Sequence, residues 1–144
     1  MTKVLGTRHI GIIVKDLERS KNFYANILGL QIIQRMVDDS PYISEITNLD
    51  HVIAEFIKLK MPDSSVLELL KYHSHPTNSF DGPIIQTGIA HIALQVESID
   101  KMYSHLISNK IKVLSKPTLS SEGFAKVFFC LDPDNFRVEI VEIL

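Results

Sequence analysis

The chain has 144 residues, a length typical of one domain, and its 45% hydrophobic content argues against a disordered protein. Its 15 Lys and Arg residues are balanced by 17 Asp and Glu residues, so the net charge of −2 argues against a nucleic-acid partner. The apolar runs are shorter than the roughly 20 residues of a transmembrane helix, and we expect no signal peptide. The single cysteine, Cys130, excludes an internal disulfide. These properties predict a cytoplasmic globular protein with no membrane partner.

Two parts of the chain resemble each other, which indicates an ancient tandem duplication. A histidine opens each of two similar apolar segments, residues 9–14 and 91–96, and each segment precedes a predicted helix. Each part also contains an apolar run with one central carboxylate, Glu68 in the first and Glu139 in the second. We therefore divide the chain, as a single domain, into a first module, a linker and a second module at about residues 5–72, 73–88 and 89–144.

Each module has the same predicted order of elements, strand–helix–strand–strand–strand. In the first module, Asp16 is the predicted helix cap, and Gly29 follows the helix in the left-handed conformation. In the second module, Ser98 is the predicted cap, and Asn109 lies near the end of the helix. The strand-like runs that follow the two helices are residues 30–37, 52–59 and 65–71, and then residues 111–114, 124–131 and 137–143.

A short additional helix is predicted only in the first module. Ser40 is a suitable cap, Pro41 suits the first helical position, and the helix extends through Leu49. An insert at this place is a candidate lid or pocket wall.

Four residues with metal-ligand chemistry occupy equivalent places in the two modules. Because side chains alternate across a strand, His9 and His91 face away from the apolar residues that follow them. Glu68 and Glu139 likewise face away from their apolar neighbours, so two curved sheets would bring all four side chains to one concave surface. Two imidazoles and two carboxylates favour a divalent transition metal, with coordination positions left for water or substrate.

Each of these residues also has a purely structural interpretation. A single strand histidine is more often a structural residue than a ligand, and a strand glutamate can serve as an edge-strand charge. Two carboxylates buried together need a compensating cation, however. The metal site and the structural interpretation therefore both stay open on the pattern alone.

Four segments carry a resemblance to a known family, in the family's order and along nearly the whole chain. They are residues 9–30, 67–72, 90–94 and 132–139. On these motifs the chain is identified as a member of the vicinal oxygen chelate superfamily, which includes glyoxalases, bleomycin resistance proteins and extradiol dioxygenases. The resemblance implies an α+β fold, in which two tandem βαβββ modules form a cupped, mostly antiparallel mixed sheet around a metal. Asn135 stands where the closing hairpin often has glycine, and asparagine tolerates a positive φ.

The set His9, Glu68, His91 and Glu139 is similar to the metal ligands of bacterial glyoxalase I, a lactoylglutathione lyase. The resemblance implies a lyase or isomerase that acts through a metal-bound enediolate on a small carbonyl or thiohemiacetal-type substrate. It assigns Glu139 as the catalytic base and Glu68 as its near-symmetric partner. The implied cofactor is one divalent ion of nickel, zinc, cobalt, manganese or iron, because ligand type restricts the metal without selecting it.

Other functions of the superfamily stay open. An iron- or manganese-dependent dioxygenase uses a His, His, Glu triad, in which Glu68 would be a non-ligating neighbour. A metal-free binding protein of the bleomycin-resistance type is disfavoured, because such members lack the ligands. Methylmalonyl-CoA epimerases usually have glutamine at the position of Glu68, which disfavours that activity.

The expected partner is a small-molecule substrate of open identity, because the arginine and asparagine pattern that usually holds glutathione is not found. The resemblance to small members of the superfamily implies a homodimer, whose site lies either within one chain or between two chains. Most of the aromatic candidates for substrate binding are better explained by core or strand packing, and the charged ones are equally explained by a surface position. These candidates are Arg35, Tyr42, Phe56, Lys126 and Phe128.

Overall fold

The computed structural model describes residues 2–78, 85 and 87–144. The chain forms two compact units, Met1–Asn78 and Ser79–Leu144, each built on one four-stranded sheet. Part of the predicted linker at residues 73–88 lies outside the described residues. Within the described ranges, no helix is long and apolar enough to cross a membrane.

The first unit contains sheet 1, with strand order β1-β4-β3-β2. Strands β1 and β4 are parallel, whereas the β4–β3 and β3–β2 pairs are antiparallel. Helix α1 continues after its last residue in π-helical geometry over Asn22–Ile27. In chain order the elements are β1 (Ile10–Ile13), α1 (Leu17–Lys21), β2 (Gln31–Asp38), α2 (Pro41–Thr47), β3 (Ala54–Lys60) and β4 (Val66–Tyr72).

The second unit contains sheet 2, with the equivalent strand order β5-β8-β7-β6. Strands β5 and β8 are parallel, and the other two pairs are antiparallel. The predicted α+β fold of two βαβββ modules is therefore confirmed. The elements are β5 (Ile92–Gln95), α3 (Ile99–Ser108), β6 (Thr118–Leu119), β7 (Ala125–Leu131) and β8 (Arg137–Ile143).

Burial divides each sheet into two faces. Leu67 and Leu69 of β4 are fully buried, and α1 packs against this strand, so we call their side the helix face of sheet 1. Val138 and Ile140 of β8 are fully buried in the same way on the helix face of sheet 2, the side on which α3 packs. We call the opposite side of each sheet its site face, because the central glutamates of β4 and β8 lie there.

The predicted cap of the first helix, the glycine that follows this helix and the turn residue of the last hairpin are confirmed. The Asp16 carboxylate accepts a hydrogen bond of 3.0 Å from the backbone N–H of Arg19, as a helix cap does. Gly29 has a φ of 79° after the helix, a conformation that glycine adopts without a steric penalty. Asn135 has a φ of 67° in the turn before β8, a conformation that asparagine tolerates, as expected.

The inserted helix α2 begins at Pro41 as predicted but ends at Thr47, earlier than expected, because Asn48 takes a left-handed φ of 53°. Ser40 occupies the cap position without capping the helix, since its hydroxyl donates to Asp38 Oδ1 at 2.6 Å instead.

Helix α2 covers one end of the site face of sheet 1. Its Ile43 is buried with Val52 and with Ala54 of β3, and Phe56 and Tyr72 pack against this cluster. Because Ala54 pairs with Tyr72 across the β3–β4 ladder, their side chains share one face of the sheet. The insert therefore forms an apolar wall on the face that carries Glu68.

The predicted strand at residues 111–114 is wrong in extent. Val113 makes only a single bridge with Cys130, and the edge strand β6 begins later, at Thr118. Pro117 separates the two segments, and a proline has no N–H to donate to a ladder.

The cap of α3 also differs from the prediction. Ser98 occupies the cap position, but its side chain makes no capping hydrogen bond. Instead, the Glu142 carboxylate on β8 accepts a hydrogen bond of 2.7 Å from the backbone N–H of Ile99. A tertiary contact from the sheet thus takes the place of a local cap.

We expect Glu142→Ala to lower the free energy of unfolding by about 1 kcal/mol, because the first turn of α3 loses its acceptor and a favourable negative charge. Ser98→Ala should cost less than about 0.5 kcal/mol, as typical surface changes do. Urea denaturation of both variants measures this difference. A larger loss for Ser98→Ala than for Glu142→Ala would contradict the assignment.

Candidate active site

The first His–Glu pair lies on the site face of sheet 1. Parallel pairing of β1 with β4 places Gly11 beside Glu68, and His9 directly precedes β1. The distance from His9 Nε2 to Glu68 Oε1 is 3.6 Å. A Cβ atom at Gly11 would lie 3.0 Å from Leu70 Cδ1, so glycine suits this close approach between the two strands.

The carboxylate of Glu68 is buried without a close partner. Its side chain is only 9% exposed, and Lys58 Nζ lies 3.6 Å from its second oxygen, Oε2. Both this distance and the distance to His9 exceed normal hydrogen-bond lengths. Since burying a carboxylate is costly unless it is paired or coordinated, the position suits a bound cation.

The second His–Glu pair lies on the site face of sheet 2. Ala93 of β5 pairs with Glu139 of β8, the position equivalent to that of Gly11 and Glu68. His91 Nε2 is 2.8 Å from Glu139 Oε2, and the Glu139 side chain is 19% exposed. The Phe129 ring meets the His91 ring edge to face, with ring centres 5.3 Å apart.

The donor chemistry of both pairs fits a divalent metal. Imidazole nitrogen and carboxylate oxygen are ligands of zinc, nickel, cobalt, manganese and iron. Neighbouring ligands of one such ion lie about 3.0–3.4 Å apart, given bonds of about 2.1 Å. The nitrogen–oxygen distances of 3.6 and 2.8 Å in the two pairs lie on either side of that range. Among the described residues no cluster of three or more such ligands forms, and each site face brings together one histidine and one glutamate.

Arg35, a predicted substrate-binding residue, lies on the helix face of sheet 1, away from Glu68. Its Nε donates to Glu55 Oε1 at 2.7 Å, and one terminal nitrogen lies 2.5 Å from Glu18 Oε1 on α1. His73 Nε2 is 2.9 Å from the other Glu55 oxygen. Hydrogen bonds from His73 and Arg35 hold the pKa of Glu55 below its ordinary value. This network joins α1 to the sheet, which is a structural role.

Lys126 and Phe128 also lie on a helix face, that of sheet 2. Lys126 Nζ is 3.4 Å from Asp100 Oδ2 on α3. Phe128 is only 1% exposed and packs edge to face against Tyr103 of the same helix. The aromatic residue that pairs with Glu139 is the next one, Phe129, because a shift of one residue in a strand changes the face.

Phe56 and Tyr42 lie with the inserted helix. Phe56 pairs with Leu70 on the site face of sheet 1, where it packs under α2. Tyr42 is on α2 itself and is 62% exposed. Of the substrate-binding candidates, Phe56 is therefore the one that the ladder places on the site face.

Cys130 is a buried thiol on the helix face of sheet 2, and it has no place in the site chemistry. Burial raises its pKa to about 12, so a thiolate does not form near neutral pH. The sequence-based interpretation of Cys130 as a small buried apolar residue is confirmed.

Sequence reasoning missed Lys58 and Phe129, the residues directly opposite the two glutamates. Lys58 pairs with Glu68 across β3–β4, and Phe129 pairs with Glu139 across β7–β8. The available signal was alternation, because Lys58 lies between two buried residues and must face the other side. Pairing each strand with the next through its short hairpin would have found both residues.

The chain is similar to several known proteins over nearly its whole length. A model of the Glyoxalase/Bleomycin resistance protein/Dioxygenase superfamily matches residues 6–140. A probable lactoylglutathione lyase of Synechocystis sp. is 27% identical over 139 residues, which cover 93% of this chain and 92% of that protein. The uncharacterized protein YwkD of Bacillus subtilis is 30% identical over 134 residues, covering 93% and 94% of the two chains. The crystal structure of a glyoxalase family protein from Bacillus cereus matches with a TM-score of 0.90 at 21% identity, covering 99% and 97%.

The opposite faces of Phe128 and Phe129 give a matched test of the register. We expect Phe128→Ala to lower the free energy of unfolding by about 3–5 kcal/mol, because it leaves a cavity under α3. Phe129→Ala should cost much less stability and should instead alter metal and substrate binding at His91. Thermal denaturation of both variants checks the first expectation. A larger loss of stability for Phe129→Ala would contradict the register.

Proposed function

Because the chain belongs to the Glyoxalase/Bleomycin resistance protein/Dioxygenase superfamily, we propose that it is a metal-dependent lyase or isomerase of the glyoxalase I type. Its substrate in this proposal is a small carbonyl compound or a thiohemiacetal. The relative named as a probable lactoylglutathione lyase supports this reaction class.

The observation that carries the proposal is the repeated His–Glu pair. Each pair joins a histidine directly before the first strand of a module to the central glutamate of its parallel partner strand. Both glutamates lie on site faces, opposite the packed helices. The histidine and the glutamate are the same in both modules although the residues opposite the glutamates differ, Lys58 in one and Phe129 in the other, which supports a shared role for the two pairs.

In this proposal His9, Glu68, His91 and Glu139 hold one divalent ion. The bound ion would supply Lewis acidity, which polarises the substrate carbonyl and makes the adjacent C–H bond more acidic. In this proposal the buried carboxylate of Glu68 gains a directly coordinated positive charge, whereas Lys58 and His9 each lie 3.6 Å from it, beyond hydrogen-bond distance.

Glu139 is assigned as the base that removes a proton from the carbon beside the carbonyl and returns it to the neighbouring carbon. Its side chain is more exposed than that of Glu68, at 19% against 9%, so a substrate reaches it more easily. Glu139 Oε2 lies 2.8 Å from His91 Nε2, so the two groups are adjacent, as neighbouring ligands of one ion must be. Phe129 packs against the His91 ring and limits its rotation.

The first test is elemental analysis of protein purified without a histidine tag. We expect about one equivalent of nickel, zinc or cobalt per complete site, lost in His91→Ala because a ligand is removed. His105→Ala is the matched control, since this histidine lies on α3 rather than on a site face. Iron or manganese with oxygen consumption would favour a dioxygenase instead. No metal, and no thermal shift on adding any divalent ion, would leave a metal-free binding protein and overturn the proposal.

The second test removes each carboxylate charge while keeping the side-chain shape. We expect Glu139→Gln to lower kcat for a methylglyoxal–thiol hemithioacetal by about 100-fold or more, because the base is lost. Glu68→Gln should also reduce activity sharply, because both carboxylates hold the ion. Steady-state assays of thioester formation with several thiols, glutathione included, measure both effects. A Glu68→Gln variant that keeps its metal and its turnover would instead indicate a His, His, Glu triad.

A further inference from the structure

The two His–Glu pairs differ in one residue that lies directly beside the carboxylate. Across the equivalent antiparallel ladders, Glu68 is paired with Lys58 and Glu139 is paired with Phe129. The side chain of Lys58 is 28% exposed, so most of it is buried on the site face. The first His–Glu pair therefore has a cation beside its carboxylate, whereas the second pair has an aromatic ring there.

Once a metal is bound, the carboxylate nearest to Lys58 no longer balances the positive charge of its ammonium group. Its neighbours on the two flanking strands are Glu68 on β4 and Gln34 on β2, so Glu68 is its only carboxylate neighbour in the ladder. Two glutamate charges balance one divalent ion. The ammonium group of Lys58 then remains as one unbalanced positive charge, close to a carboxylate that the ion already uses.

We propose that Lys58 binds a carboxylate group carried by the substrate. This inference rests on the proposed function, because it assumes that Glu68 is engaged by a divalent ion. A single anionic group on the substrate balances the excess charge and forms a charge-assisted hydrogen bond with the ammonium group. The substrate class is then a small 2-oxo compound, or its thiohemiacetal, that carries a carboxylate near the reacting carbonyl.

The test compares two metal-binding probes that differ by one carboxylate, acetohydroxamate and malonomonohydroxamate. Each is titrated calorimetrically into the zinc-loaded wild-type protein. We expect the carboxylated probe to bind about tenfold more tightly to the wild type, and Lys58→Met to remove this preference without changing acetohydroxamate affinity. Lys60→Met is the matched control, because Lys60 follows on the same face of β3 and is exposed. It should retain the preference.

A direct zinc titration provides a second measurement that does not depend on activity. Lys58→Met removes a positive charge that repels the zinc ion bound by Glu68. Zinc should therefore bind about tenfold more tightly to this variant. Two results would overturn the inference and leave the proposed function standing. One is that the wild type binds the two probes with equal affinity. The other is that Lys58→Met keeps the wild-type preference for the carboxylated probe while its acetohydroxamate binding is intact. Failure of the wild type to bind zinc would overturn both.

Discussion

The burial of two leucines on either side of Glu68 is the constraint on which the rest of the site depends. Leu67 and Leu69 are fully buried under α1, so the side chain between them must point to the opposite face. There its carboxylate is only 9% exposed, and the side-chain nitrogens of His9 and Lys58 each lie 3.6 Å from one of its oxygens. The hydrophobic packing of the helix face thus stabilises an unfavourably placed charge on the other face, and a bound cation would offset that cost.

Duplication explains why the same arrangement occurs twice, and divergence explains why the two copies are not interchangeable. Both sheets have the same strand order, with one parallel pair that aligns a histidine with a glutamate. In the part of the chain that the structure describes, only the first sheet has an inserted helix packed on its site face. The residues opposite the glutamates also differ, since Lys58 is a cation and Phe129 is an aromatic ring. In the proposed function, the duplicated framework provides the ligands, and the substituted positions around them provide substrate selectivity.

Helix packing also accounts for the polar contacts that lie far from the site. The Glu142 carboxylate caps α3 from β8, and Arg35 joins α1 to sheet 1 through Glu18 and Glu55. Each contact joins a charged side chain on the helix face of a sheet to the helix that packs there. These contacts orient the helices on the sheets, and the helices in turn determine which strand residues are buried.

Local sequence signals located the elements correctly where a residue acts on its own neighbours. The carboxylate of Asp16 caps the next turn of the chain, and Gly29 and Asn135 take positive φ angles that few other residues tolerate. Local signals failed where the partner is distant in sequence. Ser98 was expected to cap α3, but Glu142 does so from another strand.

The sequence by itself determined the two modules, the order of their strands and helices, and the two His–Glu pairs. Period-two alternation around buried apolar residues is a local property, and it assigns each glutamate to a face. Only the tertiary structure decided which residues lie beside those glutamates, because strand register depends on pairing between distant segments. Register placed Lys58 and Phe129 at the site and moved Phe128 into the core, and a helix contact assigned Arg35 to the opposite face.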